Sequence, residues 1–256
     1  SLTIERLFEA PDLSGPSPRS PRFAPDGSSV SYLKARADDP AVFDLWSYDI
    51  AAGRHRLLVD SRRLAPEERP LSAEEEARRE RQRIAALRGI VEYSWSPTGR
   101  GLLFPLGGDL YYYDLGARGA GAVKQLTNTQ AYETDARFSP RGRYISFVRD
   151  QNLHVIDLAT GRERALTTEG GGLVSLGVAE FVAQEEIKRS TGYWWSPDER
   201  EIAITRVDES RVREVERFEV DADGFRVFHQ RYPTAGTPNA DVTLGVIAVE
   251  SGTLQW

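Results

Sequence analysis

The chain has no cysteine and no methionine among its 256 residues, and only three histidines, His55, His154 and His229. Without cysteine there is no disulfide, no thiolate nucleophile and no thiolate metal site. The redox compartment stays open, because a cysteine-free chain suits either environment. The histidines are scattered with no partner at metal-ligand spacing, so no metal centre is expected, and no motif calls for a cofactor. No run approaches the roughly 18 apolar residues of a membrane helix, and no cationic start leads into an apolar core as in a signal peptide. A membrane partner is therefore not expected. The lack of methionine reads as a processed, trimmed or excised segment rather than a complete translation product. The net charge of −6 and pI near 5.3 leave no dominant basic stripe, which argues against nucleic acid as the main partner. A G-x-S-x-G nucleophile elbow, H-E-x-x-H, a phosphate loop and a dinucleotide fingerprint are all missing. By residue chemistry alone the segment is not a self-sufficient catalyst, and a binding surface is what remains.

What the sequence does contain is a repeat. "RFAPDGSSVSYL" from Arg22, "YSWSPTGRGLLF" from Tyr93, "ARFSPRGRYISF" from Ala136 and "YWWSPDEREIAI" from Tyr193 share one pattern. An aromatic precedes Ser/Ala-Pro, then a polar residue, usually Gly, then an alternating apolar strand. Proline pre-sets the first turn dihedral, and glycine supplies positive φ where the chain reverses. Three units continue into a second strand pair through Asp and a Gly turn: "LWSYDIAAGRHRLL", "LYYYDLGARGAGAVKQLT" and "LHVIDLATGRERALT". The Gly-rich stretch at 118–127 has no helix to receive a phosphate and reads as a long hairpin turn. "DADG" at 221–224 resembles the start of a calcium loop but lacks the downstream glutamate, and reads as a hairpin turn. Units of about 40 residues with four short strands are the mark of propeller blades. The expected fold is all-β, with blades of four antiparallel strands. About four blades and the start of a fifth fit in the chain. An open array exposes blade edges, so residues 1–256 are expected to be part of a larger propeller.

One insertion differs in kind. "LSAEEEARRERQRIAALRG" at 71–89 carries a capping box, Ser72 with Glu75, and i,i+4 pairs Glu74–Arg78 and Glu75–Arg79. It predicts one long helix near 72–88, ended by Gly89, projecting and anchored mainly near its C-terminal end. Residues 179–191 also read as helical, ended by Gly192. There Glu185 and Glu186 stand side by side before Trp194 and Trp195. In a strand the two carboxylates would face opposite ways; in a helical turn they can converge on a cation. The ordinary alternative is a surface turn in which Lys188 and Arg189 neutralise them.

Two stretches, "EFVAQEEIKRSTGYWWSPDEREIAITRVDES" and "RYPTAGTPNADVTLGVIAV", resemble the N-terminal propeller of dipeptidyl peptidase IV and its bacterial relatives, in the prolyl oligopeptidase class of serine peptidases. The resemblance implies an eight-bladed propeller packed on an α/β-hydrolase domain, which would lie beyond residue 256 and carry the catalytic Ser, Asp and His. It implies release of X-Pro or X-Ala dipeptides from free peptide N-termini, a homodimer, and a periplasmic or secreted setting. Glu185 and Glu186 fall on the double Glu that binds the substrate's α-ammonium. The 71–89 insertion resembles that of the bacterial branch, which implies that it supplies an arginine to the substrate carbonyl: Arg83, with Arg79 and Arg88 as rivals. Two other readings stay open, the propeller of another oligopeptidase of the class and a non-catalytic TolB-like binding propeller.

Overall fold

Each of the four repeats folds into the same reversal. Ala24, Ser96, Ser139 and Ser196 each donate a backbone N–H to a residue at the head of the following strand, at 2.8–2.9 Å. Each also accepts from the residue three further on, at Gly27, Gly99, Gly142 and Glu199, with φ of 71°, 70°, 76° and 65°. Glycine takes this left-handed conformation without a Cβ penalty; Glu199 does not. The Asp that ends the third strand of three units caps its own turn: Asp49, Asp114 and Asp157 accept from the N–H groups of Ala52, Gly116 and Ala159.

The computed structural model describes residues 2–9, 13, 15, 17–67, 69–117 and 119–256, in two compact units, Ser1–Ala136 and Arg137–Trp256. The first opens with helix α1 (Ile4–Phe8). Strands β1 (Arg19–Phe23), β2 (Ser29–Ala35), β3 (Val42–Asp49) and β4 (Arg54–Val59) then form an antiparallel sheet in chain order. Helices α2 (Ser61–Leu64) and α3 (Ala73–Arg81) follow, then β5 (Arg88–Gly89), which adds parallel to β3. A second sheet holds β6 (Ser94–Trp95), β7 (Gly101–Leu106), β8 (Asp109–Asp114) and β9 (Val123–Gln125). A short 3-10 segment at Gly119–Ala122 fills the turn before β9; Arg118 of that stretch lies outside the described residues.

The third sheet comprises β10 (Thr134–Phe138), β11 (Tyr144–Arg149), β12 (Asn152–Asp157) and β13 (Glu163–Ala165). The fourth is more elaborate. Strand β14 (Val174–Leu176), helix α4 (Phe181–Glu185) and strand β15 (Tyr193–Trp195) precede β16 (Glu201–Asp208), with both strands on one edge of β16. A two-stranded hairpin follows, β17 (Glu214–Val220) and β18 (Phe225–Arg231), before β19 (Asp241–Ala248) and β20 (Leu254–Gln255) complete the sheet. Asp221 turns the hairpin by accepting from the N–H groups of Asp223 and Gly224, so the "DADG" stretch is the turn its sequence suggests.

The aromatics that open the repeats join neighbouring sheets within each unit. In the first, the Trp95 indole donates to Ser31 Oγ at 2.8 Å, and the Tyr93 hydroxyl lies 2.9 Å from the same oxygen. In the second, Trp195 donates to Ser146 Oγ at 2.8 Å and the Tyr193 hydroxyl lies 3.3 Å from it. Both serines are fully buried, and an apolar cluster surrounds each contact, Leu33, Leu102 and Phe104 in one and Leu153, Ile202 and Ile204 in the other.

The 71–89 insertion departs from its expected form. Helix α3 is nine residues long and ends at Arg81, instead of running to 88. Ser72 caps it, accepting from the Glu75 N–H at 3.2 Å, but the Glu75 carboxylate turns inward to Arg78 and Arg79 rather than back to the cap. Arg78 reaches Glu75 and Glu92 instead of Glu74. Glu75 is 3% exposed, so the helix is anchored by this ion cluster in its body and not by an apolar end. Leu87 joins the core only after the chain has left the helix. Among the described residues no helix is long and apolar enough to cross a membrane.

Candidate functional site

Helix α4 sits on an excursion, residues 177–192, that interrupts the strand edge between β14 and β15. Its base is closed by a bridge between Val178 and Thr191. The buried Thr205 hydroxyl lies 3.0 Å from the carbonyls of both Val178 and Gly192. Gly192 is required by this close approach: a Cβ there would meet Thr205 Oγ1 at 2.4 Å. It does not end the helix, as its position in the sequence suggests. The helix ends at Glu185, and Lys188, with φ 58°, reverses the chain so that the Arg189 N–H reaches the Ala183 carbonyl at 2.9 Å. At the other end Glu180 caps α4, its carboxylate accepting from Val182 and Ala183 N–H groups.

Glu185 is the last helical residue and Glu186 the C-cap, at φ −93° and ψ −40°. Successive helical residues diverge by about 100°, not the 180° of a strand, so both carboxylates project from adjacent sides of one turn. Glu185 is half-buried and Glu186 exposed. The two cations expected to neutralise them are engaged elsewhere. Lys188 donates to the Glu185 backbone carbonyl, not to the carboxylate. Arg189 donates to the Thr191 carbonyl at 2.6 Å and lies over the Trp194 ring at 5.6 Å. Neither carboxylate has a hydrogen-bond or ion-pair partner among the described residues. Two unpaired carboxylates at the negative end of a helix oppose the dipole rule, an arrangement without local benefit to stability. Trp195 is stacked on Tyr144 at 5.6 Å, whereas Trp194 is 41% exposed.

Arg83 belongs to the first unit. It follows the Gln82 C-cap of α3 at the position where helices usually place glycine, with φ 58°. The Arg83 N–H donates to Glu80 and the Ile84 N–H to Arg79, both at 2.9 Å, which is a Schellman closure. Its side chain is exposed and has no partner among the described residues. The rivals are committed: Arg79 pairs with Glu75 and donates to the Leu87 carbonyl, and Arg88 pairs with Asp39. No group of three or more His, Asp or Glu side chains among the described residues is arranged to hold a metal.

One support is not signalled by the sequence. The Phe181 ring meets the Tyr232 ring edge to face, 5.0 Å between centroids, and Arg217 lies 5.3 Å from the Tyr232 centroid. Fifty-one positions separate the two rings, so no local pattern announces the contact.

The family model for the dipeptidyl peptidase IV N-terminal region matches residues 96–256, which include the whole excursion. Dipeptidyl peptidase 8 of Mus musculus is 31% identical over 196 residues, covering 67% of this chain and 22% of the relative. A probable dipeptidyl-aminopeptidase B of Emericella nidulans is 35% identical over 130 residues, 46% of this chain and 14% of the relative. The crystal structure of Porphyromonas gingivalis dipeptidyl peptidase 4 superposes with a TM-score of 0.64 at 24% identity, covering 93% of this chain and 32% of that one, and so shares its fold. The chain spans about a seventh to a third of these longer proteins. With its repeated four-stranded sheets and a match across well over half its length, the chain belongs to the dipeptidyl peptidase IV N-terminal region family.

Proposed function

We propose that this chain is the substrate-gating and N-terminus-recognising part of a serine dipeptidyl peptidase that releases X-Pro or X-Ala dipeptides. Glu185 and Glu186 hold the substrate's α-ammonium, and Arg83 reaches its first carbonyl. The observation that carries this reading is that Lys188 and Arg189, the nearby cations, leave both carboxylates unneutralised. A pair of free carboxylates on a braced excursion suits an incoming cation. A peptide α-amine has a pKa near 7.7–8.0, so it arrives mostly charged, and the pair favours that form further.

An exopeptidase must count residues from the free end. A carboxylate pair at fixed distance from the nucleophile is a ruler that brings the second peptide bond to the serine. The relatives bear dipeptidyl peptidase names and are several times longer than this chain. That supports a partial propeller over 1–256, eight-bladed when complete, with the hydrolase domain and its triad elsewhere in the protein. The homodimer and the periplasmic or secreted setting rest on the family resemblance.

The test is Glu185→Ala and Glu186→Ala in the full-length protein, assayed on free-amine X-Pro substrates. Removing one partner of a hydrogen-bonded charge pair costs about 2–5 kcal/mol, or roughly 30- to 3000-fold in kcat/KM. The two losses should not add, because both groups address one cation. Wild-type kcat/KM in both variants would overturn the reading.

A further inference from the structure

Helix α4 is five residues long. One isolated turn has no appreciable stability of its own, so packing must set its orientation. Ala183 anchors one side, fully buried. Phe181 and Glu185 stand four residues apart, on a common helical face. On that face the Phe181 ring meets Tyr232, at 5.0 Å with planes at 69°.

Tyr232 is itself held. It directly follows β18, and its N–H donates to the Arg213 carbonyl at 2.9 Å, across the base of the hairpin. The neighbouring Arg231 donates to the Val212 carbonyl at 2.6 Å. Arg217, on β17, lies 5.3 Å from the Tyr232 centroid. The hairpin base therefore presents a fixed aromatic ring to the first residue of the helix that ends in the carboxylate pair. The Tyr232 hydroxyl has no partner among the described residues, which leaves the ring as the group that makes the contact.

We propose that Tyr232, backed by Arg217, is a positioning residue that fixes the roll of α4 and thereby the direction of Glu185 and Glu186. This rests on the reading of the pair as the ammonium clamp. A clamp that must reach one nitrogen needs its orientation set before substrate arrives. An edge-to-face pair is worth roughly a 2- to 12-fold shift in population. Losing it lowers the fraction of molecules with α4 correctly rolled and raises apparent KM by up to that factor, while bound substrate reacts at the normal rate.

The experiment is steady-state kinetics of the full-length protein on a free-amine X-Pro substrate, with thermal unfolding of every variant. Tyr232→Ala should raise KM roughly 2- to 12-fold at unchanged kcat, and Tyr232→Phe should restore the wild-type KM. Glu186→Ala in parallel separates the two layers. If it leaves kcat/KM unchanged, the clamp fails and the brace with it. If it lowers kcat/KM while Tyr232→Ala leaves KM alone, only the brace is overturned. A Tyr232→Phe variant as impaired as Tyr232→Ala would assign the effect to the hydroxyl and overturn it too. A fall in kcat tracking the melting temperature at constant KM would do the same. Should Tyr232→Ala not fold, the exposed Arg217→Ala carries the test, with a KM rise of roughly 2- to 5-fold expected and an unchanged KM contradicting the proposal.

Discussion

Arg83 occupies a backbone position that glycine fills more easily. At φ 58° a side chain costs about 1–2 kcal/mol, and the Schellman closure of α3 demands that conformation of whatever stands there. Arg83→Gly should therefore raise the melting temperature, by about 1 kcal/mol of stability, while lowering kcat/KM of the full-length protein. A variant both more stable and fully active would remove Arg83 from substrate binding. The same opposition holds at α4: Glu186→Gln relieves a charge at the negative helix end and should stabilise by a few tenths to about 1 kcal/mol, read by thermal unfolding, while weakening substrate binding. Glu185 and Glu186 were legible in the sequence as a pair. Their freedom from Lys188 and Arg189 was not, because it depends on where the reversal at Lys188 sends the two cations. Tyr232 was illegible as a brace, since its partner lies across the hairpin insertion.

At the scale of elements, the Pro and Gly turns were readable because they fix dihedrals locally, and all four form. Glu199 takes the glycine position of the fourth turn and accepts the Arg141 N–H at 2.7 Å. Glu199→Gly relieves about 1 kcal/mol of backbone strain but loses a charge-assisted hydrogen bond of roughly 1.5–3 kcal/mol, so net destabilisation is expected in denaturant unfolding. The end of α3 was not readable: Ile84, Ala85 and Leu87 continue a helical pattern, yet the pull of Leu87 into the core and the closure at Arg83 stop the helix at Arg81. Burial pushes the Glu75 carboxyl up, but hydrogen bonds and charge from Arg78 and Arg79 outweigh it and hold it below its usual 4.5. A depressed folded value means the stabilisation is present above about pH 4.5 and is lost as pH falls through the folded pKa. Glu75→Gln should flatten that part of the acid limb of the unfolding profile; an unchanged limb would count against the cluster as the anchor of α3.

At the scale of the whole molecule, the repeat that reveals the fold also explains how sheets are joined in pairs. Tyr and Trp at the head of one sheet share a buried serine on the previous one, at Ser31 and again at Ser146. The Y-x-W spelling at 93–95 and 193–195 was visible in sequence, but its serine partner was not, being 47 to 64 positions away. Recognition of the peptide's free end is read from the ratio of kcat/KM for a free-amine X-Pro substrate to that for its N-acetylated counterpart, measured on the wild-type full-length protein. Acetylation removes the charge and leaves two carboxylates without their cation. A ratio of at least about 30 is expected, from the roughly 2 kcal/mol lower bound on breaking a charge pair that substrate binding takes out of water. A ratio near one would show that Glu185 and Glu186 do not read the N-terminus.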